Sequence, residues 1–170
     1  TCALPISALI IASRKGFADV LDALLTATAD IEAKDNSGQT ALLHASDRGH
    51  VDCVKTLLRR GADVESRDLV GESALMLACD SDHATIVQLI LGAGGSVEAV
   101  NKHGATALMY AVDTGSEQLV QLLLAAGANP STVDKTKQTA VTLAEADKKE
   151  GILKLLLRSE EHTSELQSRQ

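Results

Sequence analysis

The stretch Gly38-Gln39-Thr40-Ala41-Leu42 decides the fold, because closely similar stretches return along the chain at a fixed interval. Each copy begins with Gly, has Thr or Ser two residues later and ends in Ala-Leu. Gly71–Leu75 and Gly104–Leu108 follow at steps of 33 residues, Ser7 lies one step before the series, and Thr139 lies one step after it. A fixed period of this length is typical of a solenoid, whose units bury their apolar faces by stacking on their neighbours.

Each period carries the pattern of two short helices. In the second period the apolar residues fall at helical spacing and would form one shared face. These residues are Leu42, Ala45, Val54, Leu57 and Leu58. The Thr or Ser of each copy stands where a helix would start, and its hydroxyl can accept a hydrogen bond from a free backbone N–H there. The positions concerned are Thr40, Ser73, Thr106 and Thr139.

Glycines mark the ends of the predicted helices. Gly49 and Gly115 stand at the break between the two helices of their periods. A second set follows the second helix, where a left-handed residue is most favourable as Gly; it comprises Gly61, Gly94 and Gly127. The polar stretch that follows, such as residues 63–71, is predicted to form a turn that projects toward the next unit.

Together these features resemble the ankyrin repeat. The matching stretches of the second period are Gly38–Leu42, Ala45–His50, Val54, Leu57-Leu58 and Gly61–Val64. Those of the fourth period are Gly115, Leu119-Val120, Leu122–Leu124 and Gly127–Asn129. The resemblance covers residues 7–157 and implies an all-α solenoid of helix-turn-helix units with projecting β-turn or hairpin loops. We expect five repeats, at about residues 7–34, 35–67, 68–100, 101–133 and 134–157.

Equivalent positions of successive repeats, which recur at steps of 33 residues, are called rows below. The chain departs from the family pattern in two of them. Ala follows the Thr or Ser where the family usually has Pro, at Ala41, Ala74, Ala107 and Ala140. Where the family commonly has His, three residues after the Thr, the chain has Leu43, Met76, Met109 and Thr142. The hydrogen bonds that such a His makes to neighbouring turns are therefore not expected. The last repeat departs furthest, which suits the polar end of a solenoid.

The two ends do not continue the repeat. Residues 158–168 can be back-translated into a common sequencing adapter, and residues 3–6 can be encoded by the complement of its beginning. We therefore predict that residues 1–6 and 158–170 are translated adapter and that the native chain is an internal fragment of a longer protein. The alternative is a native disordered tail, because residues 158–170 are polar and would not pack.

Composition and charge exclude several classes of function. The formal net charge is −7, and nucleic-acid binding needs clustered Lys and Arg, so no nucleic-acid partner is expected. No run approaches the roughly 20 apolar residues of a membrane span. Cys53 and Cys79 lack metal-site spacing and are predicted to be buried thiols in a reducing compartment. We expect an intracellular, cytoplasmic monomer without cofactor or metal.

No catalytic motif is visible in the sequence. His44 occupies a helix position where other periods have Leu77, Tyr110 and Leu143, so we predict that it packs in the interior and is neither a ligand nor a base. Phe17 and Tyr110 are the only aromatic residues, and the row that Tyr110 shares with Leu77 predicts a core position. The Tyr and Trp residues that dominate many interfaces are therefore expected to be missing.

Two surface rows are candidates for partner binding. Asp47, Asp80 and Asp113 recur at steps of 33 residues near the end of each first helix, where the family resemblance implies a concave groove. They would form an acidic ladder for a basic partner segment, or would be ordinary solvated charges. Their neighbours at the same place are Arg48, Ser81 and Thr114.

The second row is apolar and lies at the projecting turns. Leu69 and Val70 occupy the places that Asn36-Ser37 and Lys102-His103 occupy in other turns, and Val100 and Val133 occupy those of Lys34 and Arg67. Such residues would anchor a protein partner or would pack against the neighbouring turn. The candidate partner-binding residues of the turns are Leu69, Val70, Val100, Lys102, His103 and Val133.

The function implied by the resemblance is protein–protein interaction, as a scaffold or adaptor module without catalysis of its own. A rigid stacked surface is preorganised, so binding would lose little conformational entropy. Two alternatives stay open. The repeats could be the targeting arm of a larger enzyme, such as a kinase or a ubiquitin ligase, or a structural spacer.

Overall fold

A computed structural model describes residues 7–167, with side chains through Ser159, and this part of the chain forms ten helices. They are α1 (Ala8–Lys15), α2 (Ala18–Thr26), α3 (Ala41–Asp47), α4 (Val51–Arg59), α5 (Ala74–Asp80), α6 (Ala84–Gly92), α7 (Ala107–Thr114), α8 (Glu117–Ala125), α9 (Ala140–Ala146) and α10 (Glu150–Gln167). Over these residues extended pairing is limited to the isolated bridges Arg67–Ser73 and Val100–Thr106. The predicted all-α class is confirmed.

The helices form five consecutive pairs that stack in two rows. The first helices of the pairs, α1, α3, α5, α7 and α9, pack on one another in order, and the second helices, α2, α4, α6, α8 and α10, do the same. Each first helix also packs on its own partner. The core therefore runs between repeats along the whole stack, as expected of a solenoid.

The predicted helix starts are confirmed by their hydrogen bonds. The hydroxyl at each start accepts a hydrogen bond from the backbone N–H three residues later, at Ser7, Thr40, Ser73, Thr106 and Thr139. Small side chains then allow the first helices to lie close together. A buried alanine recurs at one position of all five of these helices, at Ala12, Ala45, Ala78, Ala111 and Ala144.

The two ends of the stack differ. Val20 of α2 shares its row with Cys53, Ile86, Leu119 and Ile152, which are all buried, yet Val20 is 50% exposed. Ile11 and Phe17, also in the first repeat, are exposed as well. In the last repeat Thr142, Glu145 and Lys148 are exposed instead, so that end presents polar side chains. A core row thus opens to solvent at one end of the described structure.

Helix α10 continues past Leu157, where the sequence pattern places the end of the repeat domain, and runs to Gln167. Most of the second predicted adapter segment is therefore helical, and its residues 168–170 lie outside the described part of the chain. The predicted adapter at residues 1–6 also lies outside it. The origin of the two segments stays a prediction.

Candidate protein-binding surface

The projecting turns are held in a fixed shape by one polar side chain each. The Oδ1 atom of that side chain accepts hydrogen bonds from the backbone N–H groups two and four residues later, at 2.8–3.0 Å. The residues are Asp35, Asp68, Asn101 and Asp134, one in each turn. Because Asp and Asn favour such local bonds, the sequence itself specifies the turn.

Backbone hydrogen bonds join these turns into a row. The N–H groups of Leu69, Lys102 and Lys135 donate to the carbonyl oxygens of Ser37, Val70 and His103 in the preceding turns, at 3.0, 2.9 and 2.9 Å. The absence of the family's usual His therefore does not leave the turns unconnected. A row linked through its backbone loses little conformational freedom when a partner binds.

The apolar residues of the turns are exposed. Leu69 is 61% exposed, Val70 45%, Val100 44% and Val133 55%. The position of Leu69 and Val70 in the turns predicts exposure, which is confirmed, and the polar candidates Lys102 and His103 of the next turn are exposed as well.

Earlier repeats use the row of Val100 and Val133 differently. Lys34 Nζ donates to the carbonyl oxygen of Arg67 at 3.0 Å, and Arg67 Nη1 donates to that of Val100 at 2.8 Å. Each cation thus joins its repeat to the next one. A valine side chain cannot donate such a hydrogen bond. Stabilisation of the next repeat therefore does not explain why valine occupies this row at positions 100 and 133.

The acidic row lies at the C-terminal ends of the first helices. Asp47 and Asp80 are the last residues of α3 and α5, and Asp113 is the last but one of α7. Asp80 and Asp113 are exposed, whereas Asp47 is half-buried and lies 3.2 Å from Arg48 Nε and 3.4 Å from Ser81 Oγ. Asp47 is therefore partly neutralised by its neighbours. Thr114 is exposed and donates to the carbonyl oxygen of Ala111 at 3.1 Å.

A negative charge at the C-terminus of a helix opposes the helix dipole. Donors from the following repeat reach the C-terminal carbonyl groups of three first helices, α1, α3 and α7. His50 Nε2 lies 3.2 Å from the carbonyl oxygen of Arg14, His83 Nε2 lies 3.1 Å from that of Asp47, and Lys149 Nζ donates to those of Val112 and Asp113 at 2.8 Å. The three aspartates thus occupy places where their charge does not favour the fold.

Two of the predicted site residues line an open surface cavity of about 300 Å³ between the fourth and fifth repeats. His103 comes from a turn and Asp113 from α7, and both line this cavity with Asp134 of the next turn. Its apolar lining is formed by Met109, Tyr110 and Leu143. We call this space the Tyr110 cavity. The remaining sequence candidates do not line it.

Tyr110 was predicted to occupy a core position, and its side chain packs against the edge of the core. The residue is half-buried rather than fully enclosed, because its hydroxyl has polar partners on both sides. It donates to Glu72 Oε1 in the preceding repeat and accepts from Asn101 Nδ2 at 3.1 Å. Burial and the Glu72 carboxylate raise the pKa of Tyr110. The position of Tyr110 in its row could not reveal the hydrogen bond with Glu72, because Glu72 lies 38 residues away in the sequence.

His44 is buried as predicted, but it has a carboxylate partner that the sequence pattern did not reveal. Its Nε2 atom lies 2.8 Å from Oδ2 of Asp35, the residue that also holds the second turn. Burial raises the pKa of Asp35, but hydrogen bonds from the Gln39 N–H, from His44 and from the Ser37 N–H outweigh burial and lower it overall. The pair joins a turn to the first helix of its own repeat.

Replacing Asp35 with alanine should lower the free energy of unfolding by about 1–3 kcal/mol, because His44 and two turn N–H groups lose their acceptor. Asp35→Asn should cost less, since Asn101 holds the equivalent turn in another repeat. The folded-state pKa of Asp35 is lowered, so its contribution is present above about pH 4 and is lost as pH falls through the folded pKa.

Urea unfolding curves of the wild type, Asp35→Asn and Asp35→Ala at several pH values test this prediction. The difference between the wild type and Asp35→Asn should shrink in acid. A difference that stays constant down to pH values where carboxylates are protonated would contradict it.

The described residues offer little for other chemistry. Cys53 and Cys79 are buried and unpaired, and burial raises the pKa of the Cys79 thiol to about 12. Within the same part of the chain, no cluster of His, Cys, Asp and Glu is arranged to hold a metal ion. Nor does any helix among the described residues have the length and apolar character needed to cross a membrane.

Helix pairs stacked at a constant period, with linked turns beside the first helices, define a helical repeat protein of the solenoid class. The model of a family described as ankyrin repeats (3 copies) matches residues 2–68 and 65–134. The chain belongs to the ankyrin-repeat family. Ankyrin repeats are generally protein–protein interaction modules, and their fold is typically non-enzymatic. The search of curated proteins found no match.

Proposed function

We propose that this chain is a non-catalytic scaffold or adaptor module that binds a protein partner through its turn tips and the adjoining first helices. The single observation that carries the proposal is the placement of Asp47, Asp80 and Asp113. Their charges lie at helix C-termini, where they oppose the helix dipole, and of the three only Asp47 gains stabilising contacts, from Arg48 and Ser81.

The surface indicates the chemistry of the partner. A row of carboxylates beside the turns favours a segment that carries Lys or Arg. The exposed turn residues Leu69 and Val70 and the two valines of the neighbouring row would contact apolar side chains of the same segment. The partner segment is therefore basic with interspersed apolar residues.

A phage-displayed library of random linear peptides, selected on the immobilised full chain, tests this function. The selected peptides should be enriched in Lys, Arg and apolar residues, and their affinity should fall as salt rises. Changing Asp47, Asp80 and Asp113 together to Asn should weaken binding by about tenfold or more and flatten the salt dependence. Changing Leu69 and Val70 to Ser should weaken binding with little change in the melting temperature.

A charge-matched control is available on the second helices. Asp19, Asp52 and Glu117 are exposed in the first turns of α2, α4 and α8. The triple variant Asp19→Asn, Asp52→Asn and Glu117→Gln removes the same charge and should leave peptide affinity nearly unchanged. Equal effects of the two triple variants, or no effect of either, would refute the proposed surface.

A further inference from the structure

We propose that the Tyr110 cavity receives an arginine side chain of the partner; this inference rests on the function proposed above and assigns one contact within it. The cavity lies where a turn row and an acidic row converge. It is lined by residues of both rows, namely His103 from the turns and Asp113 from the first helices.

The apolar lining of the cavity suits the stem and the plane of arginine. Met109 is buried, and Tyr110 and Leu143 are half-buried, so each presents part of its side chain to the cavity. The methylene groups of arginine pack on such surfaces while the charged head stays near water. A guanidinium stacks on the face of a tyrosine ring, and arginine does this more often than lysine.

Two carboxylates face the same space. Asp113 is exposed on α7, and Asp134 lies in the next turn. Hydrogen bonds from the backbone of Gln138 and from Thr136 lower the pKa of Asp134, so it is ionised at neutral pH. Arginine offers five N–H donors in a planar fork whose geometry suits carboxylate oxygens.

Basic side chains near these carboxylates belong to His103, which lines the cavity, to Lys135 and Lys137, which follow Asp134 in its turn, and to Lys149. Lys149 is held by the backbone oxygens of Val112 and Asp113 and by Asp147, which lies 2.7 Å from its Nζ atom. Its charge is therefore engaged at the end of α7. The volume of about 300 Å³ is at the lower end of the range for ligand pockets, which suits one side chain rather than a larger molecule.

The experiment is a two-dimensional amide NMR titration of the full chain with Nα-acetyl-arginine amide. Saturable shifts are expected at Tyr110, at Asp113 and at Ala105, which also lines the cavity. The citrulline derivative has nearly the same shape without the charge, and it should bind at least about tenfold more weakly. Equal shifts with both compounds, or shifts that do not saturate, would overturn the inference.

Variants show whether the cavity itself is responsible. Asp113→Asn and Tyr110→Leu should each weaken arginine binding severalfold, and leucine already occupies the row of Tyr110 at Leu77 and Leu143. Asp52→Asn, in the second helix α4, is the control with the same charge change. Because Tyr110→Leu also removes the contact with Glu72, the melting temperature of this variant is measured as well. If Tyr110→Leu does not fold, the result for Asp113→Asn decides.

The outcomes separate this inference from the proposed function. If selected peptides bind and lose affinity on Leu69→Ser and Val70→Ser, but not on Asp113→Asn, the protein-binding function stands and the arginine site falls. If no peptide is selected and the arginine derivative does not bind, both fall. Arginine binding that is lost in Asp113→Asn, together with peptides that require an arginine, supports both.

Discussion

Ile86→Ala is expected to lower the free energy of unfolding by about 2–5 kcal/mol, whereas Ile11→Ala should lower it by less than about 1 kcal/mol. The substitution is the same, but the surroundings differ. Ile86 is fully buried between repeats in the second-helix row, while Ile11 is 49% exposed in the first repeat. Removing the Ile86 side chain leaves a cavity that neighbouring helices cannot easily fill.

Urea unfolding followed by far-UV circular dichroism measures the two changes. In a solenoid each repeat contacts only its neighbours, so a cavity in the third repeat weakens its interfaces on both sides. Similar losses for the two variants would show that the first repeat is as well covered as the third. That outcome would contradict the prediction.

Gly49→Ala is expected to destabilise the protein by about 2–4 kcal/mol, through two separate effects. Gly49 has φ 76°, a conformation that costs an L-residue about 1–2 kcal/mol. A Cβ atom there would also lie 2.6 Å from Cε1 of His83. The His83 ring would have to move, and it would lose its 3.1 Å contact with the carbonyl oxygen of Asp47.

Gly61→Ala is the matched control for the backbone effect. Gly61 has φ 85°, and a Cβ atom at that position would have no neighbour within 4 Å. Gly61→Ala should therefore lower the free energy of unfolding only by the cost of the left-handed conformation, about 1–2 kcal/mol. In the His83→Ala background, the loss of unfolding free energy caused by Gly49→Ala should decrease to about that caused by Gly61→Ala. If the two glycine substitutions cost the same in the wild type, the His83 ring is not the obstacle.

Much of the fold was predictable because the determinants are local and repeated. Thr40 can accept from its helix N–H without any other repeat, and Asp68 can hold its own turn. The regular 33-residue spacing then requires that equivalent residues form rows. The exposure of Leu69 and the burial of His44 both followed from row position.

Contacts between repeats were not predictable in the same way. Glu32, Glu65 and Glu98 each accept from a backbone N–H 31 residues later, at 2.8, 2.7 and 2.8 Å; their 33-residue recurrence marks a row but does not indicate this partner. The sequence pattern likewise missed the partner of Tyr110, since Glu72 has no fixed residue type in its row. A period states which residues are equivalent, but not which side chains of adjacent units touch.

The sequence by itself determined the ankyrin-repeat class, the helix starts and the polar turns, because short-range hydrogen bonds and apolar spacing encode them. Only the tertiary structure decided that His103, Asp113 and Asp134 share one cavity and that Val20 lies open while Ile86 is enclosed. The physical reason is that both depend on the stacking of neighbouring repeats, whose side chains meet although they are distant in the sequence.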